Sequence, residues 1–351
     1  MVDPSTPSPH RSAPAQAGLA ANRQPVQRWH QRRAYAALDL GTNNCRLLIA
    51  KPEGDGFVVV DAFSRIVRLG EGLSANGRLS DAAIERAIAA LKICADKLKR
   101  RHVTLARSVA TEACRQAANG QDFIDRVYNE TGIALDIISA EEEARLAVIG
   151  CHTLLEPGDG QALIFDIGGG STELVLVDTL ESAPKILDWQ SAPWGVVSLT
   201  ESEPDIADNA PARLAAYARM KARVTESFAP FAARLPAEKL PDIRLLGTSG
   251  TVTTLASLYL KLSSYDRSAI DGLIVPTQAM RAISTELSAM SVADRENQPC
   301  IGHERADLVV AGCAILEAIT DIWPAERLGV ADRGIREGIL RLLMARDGDK
   351  R

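Results

Sequence analysis

One short pattern occurs twice in this chain. Ala37-Leu38-Asp39-Leu40-Gly41-Thr42 and Ile164-Phe165-Asp166-Ile167-Gly168-Gly169 each read as an apolar run, an aspartate, one apolar residue and a glycine. The two aspartates stand 127 positions apart, at 39 and 166. A short apolar run ending in glycine predicts a strand that feeds a tight turn. Two such openings at this separation predict two structurally similar halves. The length of 351 residues agrees, since a domain takes about 150 residues.

The rest of the pattern fills each half. Residues 35–40, 45–51 and 57–69 predict three strands, the first two around a Gly-Thr-Asn-Asn turn. Ser80 predicts a helix N-cap, followed by Ile84, Ile88, Leu91, Ala95 and Leu98 at helical spacing. Residues 103–110 and 133–138 predict two more strands. In the second half, 161–167 and 172–177 predict a strand and its return. A long helix near 210–233, a strand at 243–246 and helices near 251–260, 277–290, 304–320 and 334–344 follow. Strands alternating with helices predict a layered α/β fold.

Composition narrows the function classes. The net charge of -5 and 4% aromatics argue against a nucleic-acid coat or a base-stacking platform, so we expect no nucleic-acid partner. The chain has no apolar run of membrane-spanning length, so no membrane partner is expected. Six cysteines at irregular spacing, none in C-x-x-C, predict free thiols in a reducing cytoplasm. Five scattered histidines without H-E-x-x-H make a poor case for a histidine metal centre. Residues 1–33 hold five of the 17 prolines and five arginines against the single acid Asp3. They predict a disordered tail, with a transit peptide as the rival reading.

Three glycine loops could carry chemistry. Asp39 to Asn44 sits between two strands, where Gly41 lets phosphate oxygens approach backbone amides. An ordinary hairpin with Asp and Asn turn bonds is the plain alternative. Asp166-Ile-Gly-Gly-Gly-Ser-Thr-Glu173 offers three unobstructed amides at Gly168, Gly169 and Gly170, the Ser171 hydroxyl, and two carboxylates suited to Mg²⁺ through waters. Gly247-Thr-Ser-Gly250-Thr251 follows a strand and opens a helix, a natural anion site or a simple capped turn. None of the three is a P-loop. Together they predict a ligand with several phosphates held between two lobes.

Three charged residues stand out beside them. In Ser139-Ala-Glu-Glu-Glu143, Ser139 and Glu142 fit a capping box. Glu143 fits it less well, because its helical neighbours Leu146, Ala147 and Gly150 form an apolar face. A carboxylate there would be desolvated and a better base. Arg115 at the end of Ala110-Thr-Glu-Ala-Cys-Arg115, and Arg305 in His303-Glu-Arg-Ala-Asp307, read either as phosphate partners or as solvated helix arginines.

Taken in order, these segments resemble the Ppx/GppA family, the exopolyphosphatases and guanosine pentaphosphate phosphohydrolases. The similarity runs over about residues 34–345 and includes Asp332-Arg-Gly-Ile-Arg-Glu-Gly338. It implies an actin-like ATPase fold (ribonuclease H-like, of two similar lobes) with an interlobe cleft. The lobes would be 34–148 with about 335–346, and 149–334. The resemblance implies hydrolysis of a terminal phosphate with Mg²⁺, or Mn²⁺ in its place. The substrate would be inorganic polyphosphate or guanosine pentaphosphate (pppGpp), and a homodimer would be in keeping. It places the catalytic glutamate on Glu143 and metal-side carboxylates on Asp166 and Glu173. Phosphate contacts fall on Asp39, Gly41, Thr42, Asn43, Arg115, Gly168, Gly169, Gly170 and Ser171, with Gly247, Gly250 and Arg305 from the later segments. Asn44 stands where a serine is frequent, and we expect the short form of the family, without the C-terminal His-Asp-type helical domain of the longer members. A kinase of the same fold and a non-catalytic phosphate sensor are the rival readings.

Overall fold

A computed structural model describes residues 33–349, except 55, 157, 159, 181–183, 237–239 and 241. Apart from Arg33, the predicted tail and its transit-peptide alternative lie outside the described residues.

The first sheet has five strands: β1 (Ala34–Leu40), β2 (Asn44–Glu53), β3 (Gly56–Ile66), β4 (Val103–Ala110) and β5 (Leu135–Ile137). Their order is β3-β2-β1-β4-β5. β2 runs antiparallel to β1 and β3 antiparallel to β2, while β4 and β5 continue parallel to β1 on its other side. The second sheet has six strands: β6 (Gln161–Ile167), β7 (Thr172–Asp178), β8 (Lys185–Ala192), β9 (Arg244–Thr248), β10 (Ile274–Pro276) and β11 (Arg327–Ala331). Its order is β10-β11-β9-β6-β7-β8. Read from β8, the sequence β8-β7-β6-β9-β11 repeats the first sheet, with the same antiparallel and parallel pairings. β10 is an added antiparallel edge. The predicted repeat is therefore a repeat of topology, and the paired sheets form the actin-like ATPase fold.

The helices cover both faces, which is why the opening strands are apolar throughout. On β1, Ala34, Ala36, Leu38 and Leu40 face one core, and Tyr35 and Ala37 face another. The first core is closed by α1 (Asp81–Arg100), α2 (Glu112–Gln116) and α3 (Gly120–Thr131). Ser80 caps α1 as predicted, its hydroxyl accepting from the Ala83 amide at 3.2 Å. The opposite face meets α4 (Ala140–Cys151) and the last helix. In the second lobe, α5 (Val196–Glu201), α6 (Ala210–Arg234), α7 (Gly250–Tyr259), α8 (Thr277–Ala289) and α9 (Val309–Ile322) cover one face of the sheet. The chain ends in α10 (Ile335–Asp349).

α4 serves both lobes. Its Leu146 and Ala147 pack with β1 and α10, while Ala144, Val148 and Cys151 pack under β6 and β7. α10 crosses it backbone to backbone. A Cβ on Gly150 would lie 1.9 Å from the Gly334 carbonyl oxygen, and one on Gly338 would lie 2.1 Å from that of Leu146. Only glycine permits this approach.

Several predicted boundaries shift. β3 ends at Ile66, and residues 67–72 turn away toward the other lobe. The helix expected from 304 begins at Val309. Residues 303–308 form turns, because Arg305 reaches Thr254 and Asp307 reaches Arg68. β8, β10 and β11 have no counterpart in the sequence reading. β8 mixes Asp188 and Gln190 into its run, and β11 is five residues long with Gly329 at its centre. All six cysteines are free thiols. Among the described residues, no helix is long and apolar enough to cross a membrane.

Candidate active site

β1 and β6 end side by side in a cleft between the sheets, and this brings the two repeated loops together. Residues 39, 41–44 and 46 from one loop and 166–171 from the other line one cleft, open to solvent. Thr111, Glu112, Glu143, Ser249, Gly250, Thr251, Thr254 and Arg305 complete the polar wall. The loops approach closely: a Cβ on Gly169 would lie 3.0 Å from the Asn43 amide nitrogen, and one on Gly170 would lie 2.8 Å from the Thr42 hydroxyl. The glycines therefore let two turns from different lobes share one small volume.

Glu143 projects from the first turn of α4. Ser139 caps this helix, accepting from the Glu142 amide at 3.1 Å. The Glu142 carboxylate does not close the box; it pairs with Arg107 and Arg145. Glu143 is buried, 7% exposed. Its Oε2 accepts from Arg115 Nη1 at 2.7 Å. Burial, with the Glu173 carboxylate nearby, raises its pKa well above the usual range, and Arg115 opposes the rise.

The other carboxylates form a layer around it. Asp166 is pushed up to about 7, first by burial and then by Glu143. Glu173 is also pushed up to about 7, by burial and by Asp166. Glu173 stands one layer behind the cleft wall, where Ser171 and Ser191 hydroxyls donate to its Oε1 at 2.7 and 2.9 Å. Asp39 is raised by burial, against the pull of Arg46 and Arg336. Four acids with raised pKa values in one cleft make it a candidate functional site.

This donor set fits a hydrated magnesium ion. Asp39 and Asp166 end equivalent strands and face the same cavity. Asp39 Oδ1 is buried without a hydrogen-bond partner, as are Asn43 Oδ1 and Asn44 Oδ1. A buried acceptor without a donor is costly, and metal-bound water would satisfy it. Among the described residues no three His, Cys, Asp or Glu side chains converge as a direct cage. Magnesium commonly binds through one or two carboxylates and keeps its waters, so a cage is not required.

The cationic side is less as predicted. Arg305 lines the cleft and donates to Thr254 Oγ1 at 3.3 Å. Gly250 opens α7 between Arg305 and Arg46: its Cβ would lie 3.8 and 3.9 Å from their guanidinium nitrogens. A helix N-terminus and two guanidinium groups at one spot could hold an anion. Arg115, by contrast, is not a lining residue. Its Nε and Nη2 donate to Glu112 at 2.9 and 2.5 Å, and its Nη1 donates to the Ile138 carbonyl and to Glu143. The guanidinium is thus directed at Glu143 instead of at the cavity. Gly247 is also absent from the wall; it packs over the Phe165 ring, where a Cβ would lie 2.7 Å away.

Arg46, Glu112 and Asn44 line the cleft without having been singled out as site residues. Arg46 carried a readable signal. In the register of the sheets Asp39 faces Arg46 and Asp166 faces Glu173. Superposing the two repeats therefore marks position 46 as the counterpart of Glu173.

Comparison with known proteins agrees with this cleft. The model of the Ppx/GppA phosphatase family matches residues 48–346. Exopolyphosphatase 2 of Mycobacterium tuberculosis is 31% identical over 318 residues, covering 87% of this chain and 96% of that protein. A guanosine-5'-triphosphate,3'-diphosphate pyrophosphatase of Aeromonas salmonicida is 29% identical over 324 residues, covering 91% of this chain and 61% of its own length. The crystal structure of the Aquifex aeolicus Ppx/GppA family member superposes with a TM-score of 0.73 at 27% identity, covering 90% of this chain and 98% of that one. The chain belongs to the Ppx/GppA phosphatase family.

Proposed function

We propose that this protein is an exopolyphosphatase, a hydrolase that releases the terminal phosphate of inorganic polyphosphate by attack of water. The observation that carries the reading is Glu143, buried at the cleft wall with a raised pKa and a single cationic partner. A carboxylate whose pKa is raised by burial is a stronger base than an exposed one, which suits general-base work.

In this mechanism the terminal phosphate lies between loop 41–44 and loop 168–171, where glycine amides and the Thr42 hydroxyl donate to its oxygens, while the Ser171 hydroxyl stays on Glu173. Arg46, Arg305 and the first amides of α7 hold the phosphates behind it. Glu143 accepts a proton from the attacking water through Oε1, to which no described protein group is bonded. Arg115 keeps Oε2 fixed, so the carboxylate cannot rotate away. Mg²⁺, held through waters by Asp39 and Asp166 with the charge of Glu173 behind, would neutralise charge on the phosphate oxygens. Phosphoryl transfer needs little covalent help, so positioning and electrostatics supply most of the rate.

The second reading is a pppGpp 5'-phosphohydrolase acting in the stringent response. The relative named exopolyphosphatase is 31% identical and the one named for the guanosine nucleotide 29% identical, so the choice between the two substrates rests on experiment. We place the activity in the cytoplasm, where six thiols stay reduced. We also read 34–148 with about 335–346 as one lobe and 149–334 as the other, and allow for a homodimer. The experiment is phosphate release with Mg²⁺ from long polyphosphate, tripolyphosphate and pppGpp, side by side. Faster release from polyphosphate supports the proposal; faster release from pppGpp replaces it with the second reading.

A further inference from the structure

Residues 67–72, just after β3, touch the supports of both phosphate loops. On their own lobe, the Val67 and Arg68 amides donate to the Asn43 carbonyl at 2.8 and 3.1 Å, and the Gly70 amide donates to that of Thr42 at 2.9 Å. Arg86 of α1 braces the turn from outside, donating to the Val67 and Arg68 carbonyls at 2.8 and 3.1 Å and to Glu71 at 2.6 Å. Arg68 itself has φ 47°, a left-handed conformation that side chains other than glycine rarely adopt. Such a conformation persists only where the surroundings impose it.

Its side chain crosses to the other lobe. Arg68 Nη1 and Nη2 donate to Asp307 Oδ2 and Oδ1 at 2.9 and 3.2 Å, and Nη2 also reaches the Glu304 carbonyl at 3.3 Å. Asp307 lies two residues after Arg305, on the same turn. Four residues beyond Arg68, the Gly72 amide donates to Glu201 Oε1 at 2.8 Å. Glu201 ends α5, and the first amides of α5, Val196 and Val197, donate to the Gly168 and Gly169 carbonyls at 2.9 and 2.8 Å.

We infer that Arg68 is a positioning residue for the phosphate cleft. Through Asp307 it sets the turn that carries Arg305 opposite loop 41–44, which its own backbone holds. The inference rests on the reading that this loop and Arg305 bind phosphates. A merely decorative surface pair is the alternative. The bidentate geometry and the contacts on both loop supports distinguish it from one. Each side chain is 33% exposed, so water and salt weaken the tie. A weak tie suits a cleft that must admit substrate and release product.

The test uses the full chain with Arg68→Ala, Asp307→Asn and the exchanged pair Arg68→Asp with Asp307→Arg. Tripolyphosphate hydrolysis with Mg²⁺ gives KM and kcat, and small-angle scattering of the same proteins gives the radius of gyration. Both single variants should raise KM by roughly fivefold, the loss of about one exposed charge pair, with kcat little changed. They should also scatter as a larger particle, and the exchanged pair should recover both values. Unchanged KM and unchanged radius would overturn the inference, as would a raised KM that the exchanged pair leaves in place. If the wild type hydrolysed no phosphoanhydride at all, the functional proposal would fail by itself. The radius of Arg68→Ala would then decide the positioning role: expansion keeps it, and no expansion ends it.

Discussion

Replacing Asp166 with asparagine should stabilise the metal-free protein and remove its response to magnesium. In the folded state burial and Glu143 hold the Asp166 carboxyl at about 7, against 3.8 for a free side chain. The folded protein therefore binds more protons than the unfolded chain between those values. Stability then falls as pH rises through that window, and the full cost is present above about pH 7. About three pKa units correspond to roughly 4 kcal/mol at pH 8, an upper figure because Asp166 meets the open cleft. At pH 5 little more than a third of that cost applies, so the two conditions differ by roughly 2–3 kcal/mol. Asparagine at this position keeps the shape and carries no charge. The melting temperature of Asp166→Asn should therefore exceed that of the wild type by roughly 5 °C more at pH 8 than at pH 5. Magnesium should raise the wild-type melting temperature at pH 8, by an amount equivalent to about 2.7 kcal/mol at a hundred times its Kd, and should do little for the variant. Differential scanning fluorimetry at both pH values, with and without Mg²⁺, reads all of this. The same gap between Asp166→Asn and the wild type at both pH values, or an undiminished magnesium effect in the variant, would refute the reasoning.

Three further outcomes follow from the same geometry. Arg46→Ala and Arg305→Ala should each raise KM for tripolyphosphate by roughly ten- to a hundredfold, the worth of a hydrogen-bonded charge contact, as steady-state phosphate release would measure. Arg115→Lys removes the fork that joins Glu112 to Glu143. The pKa of Glu143 then rises further, so the acid limb of the kcat/KM profile should move to higher pH, as rates between pH 5 and pH 9 would show. Gly338→Ala would set a methyl group about 2.1 Å from the Leu146 carbonyl oxygen. Thermal unfolding should report a loss of roughly 2–3 kcal/mol or more, because two backbones cannot both yield.

The parts of this account that were legible in the sequence are those where local chemistry decides the structure. Asp39-Leu-Gly and Asp166-Ile-Gly mark strand ends because apolar runs must be buried and glycine permits the turn. That was enough to place two halves, and the fold repeats accordingly. Glu143 could be singled out because the cap on α4 accounts for Glu142 and leaves a carboxylate on an apolar face. What stayed hidden depends on contacts between distant segments. The aim of Arg115 at Glu143, 28 residues away, is set by where β4 ends and α4 begins. Arg305 sits on a turn instead of a helix because Asp307 is held by Arg68, 239 positions away. β11 is a five-residue strand whose identity comes from pairing with β9. Gly247 resembled a phosphate glycine in its motif, yet it is glycine because the Phe165 ring lies over it. The same residue type thus serves ligand approach at 168–170 and packing at 247, and sequence pattern alone does not separate the two.

Glu143 is proposed to activate water in this cleft. The most direct test is Mg²⁺-dependent phosphate release from tripolyphosphate by the wild type and by Glu143→Gln, with tripolyphosphate binding to both measured by calorimetry. Glutamine keeps the shape and cannot accept the proton, so turnover should fall by about 10²- to 10⁴-fold while binding persists. A Glu143→Gln variant that binds and still turns over at the wild-type rate would contradict the account.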